Sequence, residues 1–386
     1  MDVRDPWANP LNKQPGVPCI LVTQNDIPGY RAFYFATSFS VRTQCPELDF
    51  KKQKINSMAS FIIYGATGYS GRLASEYAKS LELDFSIAGR AEHKLKSLAS
   101  LLDVSYSVFD INQVDLTDSV LKDASVLLNC AGPFVHTSKP LIEACIRNKV
   151  HYLDIAAELD SYQYAQKLGK EARDANVMLM PGCGGSVVML GCLAAHVVEK
   201  VKTPIKIEIA LRIAGSISRG SAKSAAESVT SQCLQLVDGL LVGQDASNTP
   251  EFDFDDGNGY VTSFPVTLPD LLTIQKSTNV LNIATYVNIS DANFPTGDLA
   301  LLPEGPTAAE RKTTPYHAAV SVVSEQGVTR RAALHTMNGY TFTSMASVQA
   351  AKRVMDHQAI PGFQTPVKIF GKEFVLTIPG SKIVDL

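Results

Sequence analysis

Phe61-Ile-Ile-Tyr-Gly65-Ala-Thr-Gly68-Tyr-Ser-Gly71 is a short apolar run that breaks into a glycine-rich turn, after which Leu73, Tyr77, Ala78 and Leu81 recur at helical spacing. The pattern is strand, glycine turn, helix. Glycines let the chain turn tightly and bring backbone N–H groups against a pyrophosphate, and the helix N-terminus adds its partial positive charge. Gly65, Thr67, Gly68, Tyr69, Ser70 and Gly71 are therefore the first candidates for holding a dinucleotide. The next strand, at 84–88, ends in Gly89-Arg90 about 20 residues beyond the turn, where such a fold reads the adenosine ribose. An acid there selects NAD. This chain offers Arg90, with Lys94 one helical turn on, and no carboxylate at the strand's end. A guanidinium fork suits phosphate oxygens, so the expected cofactor is NADP, held at its 2′-phosphate.

Outward from this unit, strands are expected at 104–108, 126–129, 152–155 and 177–180, with helices between them at 95–102 and at 140–149, where Pro140 serves as a first-turn residue. Alternating strands and helices predict an α/β fold with a doubly wound parallel sheet, whose ligands lie beyond the carboxyl ends of the strands. The loops starting at Gly65, Gly89, Asp110, Cys130, Ala156 and Pro181 are thus the ones that matter. In Asn129-Cys-Ala-Gly-Pro-Phe134, the small residues Ala131, Gly132 and Pro133 allow close approach to the cofactor. Residues 177–198 carry no formally charged side chain and are long enough to cross a bilayer. Pro181, Gly182, Gly184 and Gly185 cut the stretch, which reads as a buried strand, a glycine turn and a buried helix over 186–200.

The catalytic inventory excludes several chemistries. None of the thirteen tyrosines has a lysine four residues on, so the Tyr/Lys pair of common short-chain reductases is missing. Cysteine and histidine do not cluster as metal ligands, and Gly-x-Ser-x-Gly is absent. What stands near the ligand edge is Asp154 and Glu158, within His151-Tyr-Leu-Asp-Ile-Ala-Ala-Glu158, and Cys183 in Pro181-Gly-Cys-Gly-Gly185. Either acid can carry a proton if burial raises its pKa, and Glu158 is the preferred donor, with Asp154 orienting the loop. Asp154 as a turn cap and Glu158 on a solvated helix are the alternatives.

Composition bounds the rest. The chain has 386 residues, enough for two or three domains, with 45% hydrophobic and 19% charged residues. Thirty-five basic against 38 acidic side chains give a net charge of −3, without the basic excess that nucleic acid requires. Seven cysteines, without a Cys-x-x-Cys pair, fit a reducing, cytoplasmic setting. Residues 1–57 hold six prolines, show no sustained periodicity and end in Lys51, Lys52 and Lys54. They are expected to be a disordered N-terminal extension, with a regulatory or partner-binding tail as the alternative, ahead of a folded region that opens near Met58.

Taken together, these residues resemble the saccharopine dehydrogenase-like NADP-binding family, which includes saccharopine reductases and trans-acting enoyl reductases. The carriers are Gly65–Gly71, Ala88-Gly-Arg90, Asn129–Phe134, His151–Asp154 with Glu158, Pro181–Gly184, Ser218-Arg-Gly-Ser-Ala-Lys-Ser224 and Gly362-Phe-Gln-Thr-Pro366 with Gly371. The family's Phe-Asp-Ser and proline after the Cys-Gly pair are replaced here by Gly185, Ser186, Val187, Val188 and Met189. The resemblance implies a Rossmann domain, a second α+β domain inserted after the sixth strand, and a C-terminal helix returning to the first domain. The corresponding divisions are 58–185, 186–340 and 341–386.

In the second domain, 205–213 alternates as a half-buried strand, 221–241 reads as a helix, and 245–259 as an acidic loop. The Ser218–Ser221 turn offers either an N-cap or, through Arg219, an anion contact. A returning helix is expected at 340–355, and strands at 367–370 and 373–378. The expected function is an NADP-dependent reductase that delivers hydride to a C=N or polarised C=C bond of a small or carrier-bound metabolite in biosynthesis. Its expected partners include no nucleic acid, no metal and no integral membrane span, and a homodimer is compatible. A catalytically silent NADP-binding sensor and a lipid-surface-associated member of the family are the alternatives.

Overall fold

The computed structural model describes residues 60–227, 232–290 and 298–386. The extension expected over 1–57 lies outside them. The first sheet is built by Phe61–Tyr64 (β1), Phe85–Gly89 (β2), Ser105–Val108 (β3), Val126–Asn129 (β4), His151–Asp154 (β5) and Met178–Met180 (β6). Between these strands run Tyr69–Ser80 (α1), Glu92–Leu102 (α2), Val114–Leu121 (α3), Phe134–Asn148 (α4), Leu159–Lys167 (α5) and Gly169–Asp174 (α6). Every pairing is parallel, and β4 lies beside β1 on the side away from β2 and β3. The chain thus reverses its direction of travel between β1 and β4, which opens a crevice at their carboxyl ends. β1 and β4 are fully buried, as a sheet covered on both faces requires.

The uncharged stretch resolves as read. β6 is followed by a glycine turn and by Gly185–Val198 (α7), a 14-residue helix. It is buried nearly all round, and Val187, Val188, Met189, Leu190, Leu193 and Val197 are each at most 1% exposed. Each such side chain contributes roughly 1.5–3 kcal/mol relative to exposure, so α7 is a pillar of the core. Among the described residues no helix is long and apolar enough to cross a membrane.

After α7 comes a second, mixed sheet. The chain runs here through Pro204–Ala214 (β7), Arg219–Glu227 (α8), Leu234–Val237 (β8), Leu240–Gly243 (β9), a separate two-stranded ribbon of Glu251–Asp253 (β10) with Tyr260–Thr262 (β11), and Phe264–Pro265 (β12), which joins the second sheet. Asp270–Thr278 (α9), Asn282–Ser290 (β13), Ala308–Thr313 (α10), Tyr316–Ser324 (β14) and Thr329–Thr336 (β15) follow. Ile207, Ile209, Val320, Val322 and Leu334 join α7 in one core, while Phe252, Phe254 and Tyr286 form a small cluster on the opposite face under the ribbon. Gly339–Met355 (α11) then returns to pack on α1 and α7. Gly362–Phe363 (β16) adds a seventh parallel strand beside β6, Pro366–Phe370 (α12) packs on α7, and Lys382–Asp385 (β17) closes the second sheet against β15.

Four local expectations need correction. α4 starts at Phe134, with Pro133 as its N-cap, so Pro140 lies inside the helix. The helix over 221–241 stops at Glu227 among the described residues, and 234–243 is a hairpin whose turn places Asp238 and Gly239 at φ 50 and 80. β10 interrupts the acidic loop. The strands expected at 367–370 and 373–378 are instead α12 and a 3-10 helix, Lys372–Thr377.

Candidate functional site

β1 delivers the chain to Gly65 in the left-handed region, φ +76, where a Cβ would stand 2.7 Å from the Ala131 backbone nitrogen. The Gly65 N–H donates to the Ala88 carbonyl at 2.9 Å, tying the turn to the end of β2, and the Gly68 N–H donates to the Gly65 carbonyl at 3.0 Å. At Gly71 a Cβ would fall 2.3 Å from the Gly65 carbonyl oxygen, so α1 leaves the turn in direct contact with it. Gly68 is different. It is the exposed N-cap of α1, with no side-chain cap and no acid in the first turn, and a Cβ there would meet only the Gly65 oxygen at 3.3 Å. These features make an open cradle of N–H groups that suits a pyrophosphate, flanked by the half-buried Thr67 and Ser70. The Tyr69 side chain turns to the second lobe: its hydroxyl accepts from Arg311 Nη1 at 2.7 Å and donates to the Pro306 carbonyl. Arg90 is exposed immediately after β2. Lys94, on α2, faces Glu304 at 4.0 Å.

The loops beyond β4, β5 and β6 are held by one buried polar network. Asn129 Oδ1 accepts from the Ala131 N–H at 3.0 Å, its Nδ2 donates to Thr137 at 3.1 Å and to the Tyr152 hydroxyl at 3.3 Å, and Thr137 donates to the Ala131 carbonyl at 2.6 Å. This fixes Ala131, the exposed Gly132 and Pro133. The Tyr152 hydroxyl donates onward to Asp154 Oδ2 at 2.8 Å. Asp154 Oδ1 accepts from the N–H groups of Ala156 at 2.9 Å and Gly182 at 2.7 Å, pinning the β5 loop to the β6 loop. Burial pushes the Asp154 carboxyl up to about 6, against the pull of these three hydrogen bonds.

Glu158, 6% exposed, accepts from the Val135 N–H at 3.0 Å at the start of α4. Burial raises its pKa, opposed first by the Ser224 hydroxyl and then by the Phe134 and Val135 N–H groups. It therefore joins α4 to α8 from a buried position and is not on a solvated helix. Cys183 is fully buried in the core, its N–H donates to the Asp154 carbonyl at 2.8 Å, and burial pushes its thiol far up.

From the second lobe, α8 lies over this edge. Ser218 Oγ accepts from the Ser221 N–H at 3.1 Å, as an N-cap does, and Arg219 Nε donates to the Leu302 carbonyl at 2.7 Å. The Ser218 N–H donates to the Tyr340 hydroxyl at 2.6 Å, and the Tyr340 ring meets Tyr69 edge-on at 5.2 Å. Farther along α8, a Cβ on Gly132 would come within 3.3 Å of Ser224 Oγ. Sequence reasoning missed Tyr340 and Asp270. Asp270 opens α9, is fully buried beside the β6 loop and accepts from Ser186 Oγ at 3.1 Å; burial pushes its carboxyl up to about 7. Leu268-Pro-Asp270 carries only the signature of a helix start, so no local signal marked it.

Residues 61–180 match the model of the family described as saccharopine dehydrogenase NADP binding domain. A saccharopine dehydrogenase-like oxidoreductase of Homo sapiens is 29% identical over 143 residues, 32% of this chain and 33% of that protein. A trans-acting enoyl reductase of Mycobacterium leprae is 30% identical over 131 residues, 32% of this chain and 31% of that protein. A lipid droplet localized protein of Caenorhabditis elegans is 28% identical over 139 residues, 32% of each. The matches thus span about a third of the length of these relatives. Among solved structures, apo saccharopine dehydrogenase (L-Glu forming) from Saccharomyces cerevisiae superposes with a TM-score of 0.60 at 11% identity, over 85% of this chain and 100% of that one. A homospermidine synthase from Legionella pneumophila, in complex with NAD, gives 0.61 at 11% identity over 84% and 91%. At that identity the likeness is one of fold.

Proposed function

From the match of residues 61–180 to the saccharopine dehydrogenase NADP binding domain, we propose that the whole protein is an NADP(H)-dependent oxidoreductase. In this reading it reduces a C=N or polarised C=C bond of a small or carrier-bound metabolite. The observation that carries the reading is the cradle at Gly65–Gly71, closed by backbone contact at Gly65 and Gly71 and open at Gly68. When bound, the cofactor supplies hydride.

The chain's own residues bind, orient and shield. Gly65 and Gly68 shape the turn, their N–H groups already bonded to the Ala88 and Gly65 carbonyls, and Thr67, Tyr69, Ser70 and Gly71 hold the pyrophosphate by main-chain N–H groups; Arg90 and Lys94 take the 2′-phosphate, and Ala131, Gly132 and Pro133 floor the cleft. Asp154 and Glu158 are assigned positioning roles, because their oxygens are committed to the N–H groups that shape the loops. Cys183 supports the core of the same loop.

Fluorescence titration of the whole protein tests this directly. NADPH is expected to bind at least about tenfold tighter than NADH, roughly 1.4 kcal/mol, and Arg90→Asp to erase that preference. Equal affinities in the unaltered protein would end the assignment of Arg90. Oxidation of bound NADPH by a panel of imine-forming and enoyl-thioester compounds then separates an enzyme from a silent sensor.

A further inference from the structure

A dinucleotide whose ribose is read at the end of β2 and whose pyrophosphate sits after β1 runs along the sheet edge toward β4, β5 and β6. Bound in that way, its nicotinamide end would lie on the side of the Pro181–Ser186 loop. α11 ties the two ends of this path together: Ser344 Oγ donates to the Ser70 carbonyl at 3.5 Å, and a Cβ on Gly184 would stand 2.8 Å from the Thr343 carbonyl oxygen. Consecutive residues of one helix thus touch the phosphate turn and the β6 loop.

Beside that loop stands Asp270, a carboxyl with no exposed surface. Its Oδ2 is 3.1 Å from Ser186 Oγ, and its Oδ1 has no hydrogen-bond partner. Such a group costs the fold stability and marks a position where something besides packing sets the residue. Ser186, in the first turn of α7, is only half-buried, whereas the carboxyl it touches is sealed.

We propose that Asp270 and Ser186 are a proton-delivery pair, Asp270 storing the proton and Ser186 handing it to the substrate. This rests on the oxidoreductase reading above. With a bound cofactor to supply hydride to the unsaturated carbon, the second atom of the C=N or C=C bond would take the Ser186 hydroxyl proton. The π pair becomes the new bond to that proton. Ser186 Oγ takes the Asp270 proton in turn, leaving a carboxylate that one proton from water resets after product departs. Ser186 is then the catalytic residue and Asp270 the positioning and storage group behind it.

The surroundings suit storage. Burial holds the proton on Asp270 up to about pH 7, countered by the Ser186 hydroxyl and the residue's own N–H, and no lysine, arginine or histidine among the described residues bears on it. From α5, Tyr162 is the titratable group that feels its charge; the Tyr162 hydroxyl donates to the Ala156 carbonyl at 2.6 Å.

The test needs no substrate. Calorimetric titration of the whole protein with NADP⁺ and with NADPH, in two buffers of different ionisation enthalpy, counts protons exchanged on binding. The positive ring of NADP⁺ favours the ionised carboxyl, so near pH 7 its binding should release up to about half a proton more than the binding of NADPH does. Asp270→Asn, neutral and nearly isosteric, should abolish the difference. Ser186→Ala removes a hydrogen bond that favours the carboxylate and should move the release to higher pH.

If both cofactors bind but release equal protons, or the difference survives Asp270→Asn, the pair is not what we propose and the cofactor reading stands. An unshifted release in Ser186→Ala would also overturn it, even if Asp270→Asn did not fold. Failure of either cofactor to bind removes the oxidoreductase reading, and this proposal with it.

Discussion

Gly65, Gly68 and Gly71 lie within one turn yet meet different surroundings, and alanine should separate them. At Gly65 an added Cβ meets the Ala131 backbone at 2.7 Å in a left-handed conformation, and at Gly71 it meets the Gly65 carbonyl at 2.3 Å. Neither neighbour is a flexible side chain. Each substitution should cost about 2 kcal/mol or more in thermal melts and weaken NADPH binding as a consequence. Gly68→Ala should leave the melting temperature nearly unchanged while raising the NADPH Kd about tenfold, since only the approach of phosphate is obstructed. Asp270 gives a second signature. Its proton is held in the fold up to about pH 7 but only to about pH 3.9 in the unfolded chain. Between those values the folded state binds more protons, so the stability linked to this group is full below about pH 4 and falls as pH rises to 7. Melts from pH 5 to 8 should show that decline, and Asp270→Asn should flatten it; an unaltered slope would mean the group ionises freely. Asp154, raised to about 6, adds a decline of the same sign that ends about one pH unit lower. The glycines were legible because their role is local to the chain. Asp270 was not, because Ser186 is 84 positions away.

Among the elements, the misread segments carried signals that the apolar pattern hid. Leu234-Gln-Leu-Val and Leu240-Leu-Val-Gly flank Asp238-Gly239, a dipeptide suited to two consecutive positive-φ positions, and the chain forms that hairpin. Val367-Lys-Ile-Phe alternates like a strand, but Thr365-Pro366 sets a helix start: Thr365 Oγ1 accepts from the Lys368 N–H at 3.2 Å with Pro366 in the first turn. Thr365 is also buried and 2.9 Å from Ser277 Oγ on α9, so the cap links α12 to its neighbour. Thr365→Ala should cost about 1–2 kcal/mol in denaturant unfolding, and Thr365→Ser should recover most of it. Equal losses in both would point to the methyl group and away from the cap. Pro140 shows the reverse case, a start signal overruled. α4 begins six residues earlier, where Glu158 and the β4 loop satisfy its first N–H groups, partners that only the folded sheet brings together.

In the whole molecule, the doubly wound sheet and the returning α11 follow from alternation and from the family resemblance, but the way the second lobe grips the phosphate turn does not. That grip centres on Tyr69. Its ring packs edge-on against Tyr340, lies against Gly305 and has the Arg311 guanidinium 5.8 Å from its centre. Arg311 also reaches the Tyr69 hydroxyl at 2.7 Å, the Pro306 carbonyl at 3.0 Å and Thr341 at 3.2 Å, joining α1, α10 and α11 through one planar donor fork. Because Tyr69 is the first residue of α1, holding its side chain also holds the first-turn N–H groups that we assign to the cofactor. Arg311→Ala should therefore lower stability by about 1–2 kcal/mol, the sum expected of a partly exposed cation–π contact and a hydrogen bond, and raise the NADPH Kd several-fold. Arg311→Lys should not restore affinity, since one ammonium cannot reproduce the fork. Melts and NADPH titrations of both variants decide the matter: a fall in melting temperature with unchanged affinity would make the clamp structural only, and the phosphate turn rigid without it.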